Sequence, residues 1–357
     1  MNWWKTFFVG AAAIILLAAP PAAAQGDEKI KVTFGIHFES SAGQSSAQLF
    51  DMTKGVLNIL KENYGVEVVM KTFPSQDAVE EAFLKNEIDA AVFLSGNVVS
   101  VTEKGAGIHP WITFHVKKRK KMSLCLWSKK GKEIKNISEL QGKRLIQGNE
   151  IGTDWLLYLR DHLYKNGVDK PLWQVFSSFT SVPSSNSAFM SLAAGEGDCF
   201  WQAGDYETIL KLIAPNLATQ VSYSLCSDSV LARGGLVLNT KTLSKTELKK
   251  LDDTFKNFLK DFNELAKKDT GIKTVKQYMN LAQARIVPAR PDEFDYEIKL
   301  FKEARKRGWI AEAEMISGRM EKAPKGKPVE IKPDFDYCQK SCAPGKNQMA
   351  CMDKCME

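Results

Sequence analysis

The chain has 357 residues, 44% hydrophobic, 25% charged and 10% aromatic, which excludes disordered, collagen-like and coiled-coil classes and suggests about two domains. Its 49 basic and 42 acidic residues give a net charge of +7, but the two signs are mixed along most of the length. The excess therefore does not mark a nucleic-acid surface.

Residues 1–24 carry Lys5, an apolar run over 7–19, and then Pro20, Pro21 and three alanines. One positive charge, an apolar run too short to span a bilayer and a small-residue end predict a cleaved secretory signal. The expectation is an exported protein that is not membrane-inserted; the periplasm as its compartment is implied only by the resemblance described below.

Over 29–36, Ile30, Val32, Phe34 and Ile36 alternate with polar or small residues, as in a strand. Over 46–64, Leu49, Met52, Val56, Ile59 and Leu60 fall at helical spacing, and Gly65 stops the helix. A strand over 65–73, a short helix over 77–85 and a buried strand over 87–93 follow. This is the grammar of a parallel sheet with covering helices. It recurs as strand 144–147, helix 153–165, strand 173–179, helix 186–194 and strand 197–201, with Asp89 and Asp198 opening the third strand of each copy. An apolar strand over 121–129 lies between the copies and another over 235–241 follows the second, each leading to a helix start. One such strand per crossing implies two interleaved α/β lobes, 25–122 with 235–322 and 123–234, with a cleft between them for a ligand.

The basic run Lys117, Lys118, Arg119, Lys120 and Lys121 lacks interleaved aromatics, so it reads as a solvated loop and not as a nucleic-acid contact. Residues 323–336 form a linker rich in Pro, Gly and Lys. After it, over 337–357, Cys338, Cys342, Cys351 and Cys355 stand as two C-x3-C pairs. Such pairs place both thiols on one face of a helix, so a helical hairpin stapled by disulfides (338 to 355, 342 to 351) is expected in an oxidising compartment. Soft-metal binding with Met349, Met352 and Met356 is the rival reading. Of the remaining cysteines, Cys199 and Cys226 fall on candidate strands and can pair, leaving Cys125 as a buried thiol. The four histidines, His37, His109, His115 and His162, stand in no catalytic motif, and neither enzymatic activity nor a cofactor or metal is expected.

The run Ile137-Ser138-Glu139-Leu140-Gln141-Gly142-Lys143-Arg144-Leu145, followed by Gly148-Asn149-Glu150, comes after a signal peptide, a first lobe and a crossing strand. In this order it resembles the periplasmic solute-binding proteins of the phosphate, phosphite and phosphonate ABC transporters. The resemblance covers about 29–290. It implies an α/β, type II-like two-lobed periplasmic binding protein with two crossing strands; the stapled hairpin is an addition to that pattern. It further implies capture of a small polar or anionic solute by hinge closure and delivery to the membrane permease of an ABC transporter. An accessory or sensor role, engaging an exported partner enzyme through the cleft or the tail, is the alternative.

In that family a hydroxyl-rich turn at a helix start holds the anion, using free N–H groups and the helix dipole. The matching stretch here is Gly152, Thr153 and Asp154. The aromatic and hydroxyl turn after the third strand corresponds to Phe93, Ser95 and Asn97, and Phe38 follows the first strand. A family histidine is replaced by Asn186, preceded by Ser184 and Ser185. Trp201 and Asp205 end the last strand of the second copy, and Arg233 stands where the family carries acids near the second crossing strand. These thirteen residues are the expected ligand contacts.

Overall fold

The computed structural model describes residues 29–321 apart from 38–56, 58–59, 74–75, 149–153, 183, 229, 269–271, 274–275, 277–278, 281–282 and 291. The expected signal peptide, Phe38, Gly152, Thr153 and the cysteine tail lie outside the described residues.

In chain order the elements are β1 (Ile30–His37), β2 (Val66–Phe73), α1 (Gln76–Leu84), β3 (Ala90–Phe93), α2 (Ser95–Glu103), β4 (Ile108–Val116), β5 (Leu124–Lys129) and β6 (Lys143–Gly148). There follow α3 (Asp154–Lys165), β7 (Phe176–Val182), α4 (Ser185–Ala194), β8 (Cys199–Ala203), α5 (Tyr206–Ile213), β9 (Val221–Ser224) and β10 (Gly235–Asn239). The chain continues with α6 (Lys245–Lys268), β11 (Ala284–Pro288), α7 (Asp295–Lys306) and α8 (Trp309–Glu321). It divides into two compact units, Met1–Lys121 with Leu231–Asp295, and Met122–Val230 with Tyr296–Glu357.

The first unit holds a sheet in the order β11-β4-β10-β3-β1-β2, and the second a sheet in the order β7-β6-β8-β5-β9. Each contains a parallel trio, β2-β1-β3 in one and β7-β6-β8 in the other, with β10 antiparallel to β3 and β5 antiparallel to β8. The strand that enters each unit after a crossing is thus built into the interior of its sheet. In the first unit Val32, Phe34, Ala90, Phe114, Leu236 and Leu238 pack with Leu251, Phe255 and Phe258 of α6 into one core.

The repeat is visible in individual hydrogen bonds. The Asp89 amide donates to the Thr33 carbonyl at 2.7 Å while its carboxylate accepts the Thr33 N–H at 2.7 Å. In the second unit Asp198 does the same with Arg144, at 2.9 Å and 2.9 Å. In both copies the aspartate that precedes the third parallel strand satisfies backbone groups of the first, so one side chain sets the register of the pair.

Gly234 and Gly235 form the entry to β10. Gly234 has φ +74°, and a Cβ there would stand 2.5 Å from the Phe93 carbonyl oxygen and 2.9 Å from the Leu94 Cα, so backbone meets backbone with nothing to give way. Gly234→Ala is expected to cost roughly 3 kcal/mol, from left-handed strain plus overpacking. Gly131 also has a left-handed φ of +82° but lies in open space, so Gly131→Ala is expected to cost only about 1 kcal/mol. Urea unfolding of the two variants side by side checks this, and equal losses would remove the close-approach term.

Three expectations are corrected. The segment expected as strand 173–179 begins with a helical turn, Leu172–Val175, after Pro171, and the strand is Phe176–Val182. The Leu172 N–H goes to the buried Glu312 carboxylate at 2.5 Å instead of to a strand partner. Residues 296–321, expected in the lobe built from 235–322, belong to the second unit. There α8 packs on α3: the Arg160 Nε lies 3.5 Å from Glu312, and the Arg160 guanidinium stands 4.8 Å from the centre of the Trp309 ring. Finally, the disulfide is Cys125–Cys226, and Cys199 is a buried free thiol. The antiparallel pairing of β5 with β9 brings the segment just after β9 back to the start of β5, out of reach of Cys199 on β8.

Candidate functional site

In the first unit β1, β2 and β3 run parallel and end at His37, Phe73 and Phe93, and antiparallel β10 begins at Gly235 beside Phe93. The turn Phe93–Asn97 and Arg233 therefore belong to one edge of this sheet, the carboxyl edge at which open α/β folds commonly hold ligands. Phe93 is fully buried and meets Phe83 edge-on at 5.2 Å, so it serves the core. Ser95 is buried in the first turn of α2. The Asn97 side-chain oxygen accepts the Leu94 N–H at 3.1 Å and its nitrogen donates to Glu80 at 2.6 Å. Glu80 also accepts from the Ser100 hydroxyl at 2.9 Å, which fastens α2 to α1.

Arg233 is buried, and its Nη2 donates to the Lys121 carbonyl at 3.2 Å. The Lys121 ammonium in turn bonds the Glu293 carbonyl and lies 3.6 Å from the Glu293 carboxylate. The next peptide is fixed by the Thr113 hydroxyl, which donates to the Gly234 carbonyl at 3.0 Å. His115 shares this charged environment. Burial lowers its pKa, the Lys120, Arg233 and Arg290 cations lower it further, and Glu293 opposes them.

The second unit has the corresponding edge. Parallel strands β6, β7 and β8 end at Gly148, Val182 and Ala203, and each is followed by a helix: α3 from Asp154, α4 from Ser185 and α5 from Tyr206. Asp154, Ser184, Ser185, Asn186 and Asp205 are thus brought together by topology at three helix starts. Ser184 is the N-cap of α4, and its hydroxyl accepts the Ser187 N–H at 3.2 Å. The Ser185 hydroxyl accepts from Gln202 Nε2 at 2.8 Å, and Asn186 Oδ1 accepts from the buried Tyr206 hydroxyl at 3.3 Å. Asp154 stands in the first turn of α3 and Asp205 precedes α5, both half-buried. Trp201 is buried on the strand and stacks on His162 at 5.3 Å. Burial is the main cause of a lowered His162 pKa, against the pull of Asp161 and Asp228.

One polar residue of this unit escaped the sequence reading. Gln147 is buried near the end of β6. Its signal was an amide in the central strand of a parallel trio, where both faces are covered and an apolar side chain is the rule.

The family model described as ABC transporter, phosphonate, periplasmic substrate-binding protein matches residues 40–293. Among solved structures, the fold is similar to a binding protein component of an ABC phosphonate transporter from Pseudomonas aeruginosa, at 16% identity and TM-score 0.53, covering 83% of this chain and 97% of that one. It is also similar to PhnD1 from Prochlorococcus marinus in complex with methylphosphonate, at 14% identity and TM-score 0.56, covering 76% and 97%. The periplasmic aliphatic sulphonate binding protein SsuA from Escherichia coli follows at 12% identity and TM-score 0.52, covering 86% and 95%. At these identities the likeness is one of fold. Among curated proteins none matches the chain.

Proposed function

The chain belongs to the periplasmic substrate-binding proteins of phosphonate ABC transporters, and from that premise we propose that it is exported by residues 1–24, captures one small oxyanionic or polar solute, and passes it unchanged to the membrane permease of such a transporter. The observation that carries the reading is topological. Asp154, Ser184, Ser185, Asn186 and Asp205 all stand where the parallel strands of the second sheet hand over to helices, the arrangement that leaves polar groups and helix N–H donors facing a ligand. Taken by itself, the first unit carries the buried Arg233 guanidinium at the carboxyl edge of its own sheet, a group suited to an oxyanion.

The pair of carboxylates at the second edge narrows the choice. A phosphonate dianion beside Asp154 and Asp205 is repelled, so a singly charged oxyanion such as a sulfonate or a hydrogen phosphonate is favoured. Calorimetric titration of the chain from residue 25 with methylphosphonate, ethanesulfonate and inorganic phosphate tests the reading. One site per chain is expected, with methylphosphonate binding more tightly at pH 6 than at pH 8.5, because only its monoanion suits the edge.

A further inference from the structure

Gln147 and Gln202 are two buried glutamines of one sheet with opposite fates. Gln202 is bonded at both polar atoms: its Nε2 donates to the Ser185 hydroxyl at 2.8 Å and its Oε1 accepts the Ala203 N–H at 2.8 Å. Gln147 is 6% exposed, and among the described residues neither its Nε2 nor its Oε1 has a hydrogen-bond partner. The register of β6 with β8 pairs Leu145 with Cys199 and Ile146 with Phe200. By strand alternation Gln147 therefore shares the face of Leu145, Cys199 and Trp201. Trp201 is 1% exposed, and among the described residues its indole Nε1 is also without a partner, as is Nε2 of His162, which stacks on the Trp201 ring at 5.3 Å. Buried polar atoms are normally bonded, and a cluster of orphans on one face calls for a partner from outside the chain.

We propose that Gln147, with the Trp201 N–H, recognises an uncharged hydrogen-bonding group of the solute, such as a hydroxyl. This deepens the solute-binding reading and rests on it. The Gln147 amide offers a donor and an acceptor, and the indole offers a donor. A hydroxyl answers both kinds of group, whereas an anionic oxygen has no proton for Gln147 Oε1. None of these three side chains is a fixed cation, so the charged end of the solute is held elsewhere and this face reads the substituent.

The test compares wild type with Gln147→Leu, a swap of similar volume, by thermal unfolding without additives and by titration with 2-hydroxyethylphosphonate and ethylphosphonate. Removing an orphaned amide raises the melting temperature of the unliganded protein by about 2–4 °C. Wild type binds the hydroxyl compound roughly tenfold or more tightly than ethylphosphonate, and Gln147→Leu loses the difference. An unchanged or lower melting temperature shows that the amide serves the fold and overturns the assignment. Equal affinity of wild type for the two compounds overturns the hydroxyl preference. If neither compound binds wild type, the phosphonate reading fails, while the melting temperature still decides the role of Gln147.

Discussion

Reducing the Cys125–Cys226 bond, or replacing both cysteines with serine, lowers the stability of the second unit by about 4 kcal/mol. The two residues are 101 positions apart, so the bond closes nearly the whole of the Met122–Val230 segment at its two ends. A loop of that length loses much of its unfolded-state entropy when cross-linked. The same ends are already held by backbone, since the Ser227 N–H donates to the Leu124 carbonyl at 2.7 Å and the Leu124 N–H to the Ser227 hydroxyl at 3.0 Å. The disulfide is therefore a staple on a formed junction and is expected to act through the unfolded chain. Urea unfolding followed by the tryptophans of the second unit, with and without reductant, reads the loss. A reduced protein that unfolds at the same urea concentration would rule out the staple. Cys199 supplies the internal contrast. Burial pushes its pKa well above the ordinary thiol value, so it is expected to resist alkylation until the unit unfolds.

Between about pH 4.5 and pH 7 the second unit loses roughly 3 kcal/mol of stability through Glu312 alone. Burial raises the carboxyl from 4.5 to about 7, against the opposing pull of the Leu172 N–H and the Arg160 guanidinium. Below the lower value both folded and unfolded chains hold the proton. Above it the unfolded chain releases the proton while the native one keeps it, so the native state falls behind until its own carboxyl titrates. His162 works in the opposite direction, because its lowered pKa removes stability as pH falls through its ordinary range. The Glu312 contribution is therefore read as the difference between wild type and Glu312→Gln. The amide keeps an acceptor for Leu172 and is expected to flatten the slope. Glu312→Ala leaves that N–H unpaired in the interior and removes the Arg160 Nε contact, although Arg160 keeps Asp169 and the Val168 carbonyl, and is expected to cost about 2 kcal/mol. If the slope persists in Glu312→Gln, another group is responsible.

Much of the fold was legible because its parts are local. The alternation of Ile30, Val32, Phe34 and Ile36 announced β1, and the shared shape of the segments before Asp89 and Asp198 announced a repeated unit whose aspartates do the same work. The strands over 121–129 and 235–241 stood out as apolar runs and occur as β5 and β10. What was missed depends on partners distant in sequence. β4 contains Pro110 in a segment of mixed character, yet it pairs with both β10 and β11. The helical pattern of 295–321 gave no sign of which sheet it covers, because that is settled by Arg160 and Glu312 meeting from 152 positions apart in the chain. The pairing of Cys125 with Cys226 in place of Cys199 likewise follows from strand order, which spacing does not encode.

The candidate site was legible in outline. The helix starts expected at 153 and 186 lie within a residue of those observed at Asp154 and Ser185, but the helix after Asp205 was not read, nor which side chains remain available. Asn97 is taken up by Glu80 and the Leu94 N–H, and Ser184 by its own helix. Gln147 carries the converse lesson: an out-of-place amide in a central strand was readable, and only the absence of a partner makes it a candidate.

Calorimetric titration at two pH values tests the proposed capture of a small singly charged oxyanion most directly. One site per chain is expected, with ethanesulfonate or methylphosphonate bound and methylphosphonate bound more weakly at pH 8.5 than at pH 6. Absence of binding by every oxyanion, or preferential binding of the dianion at pH 8.5, would contradict it.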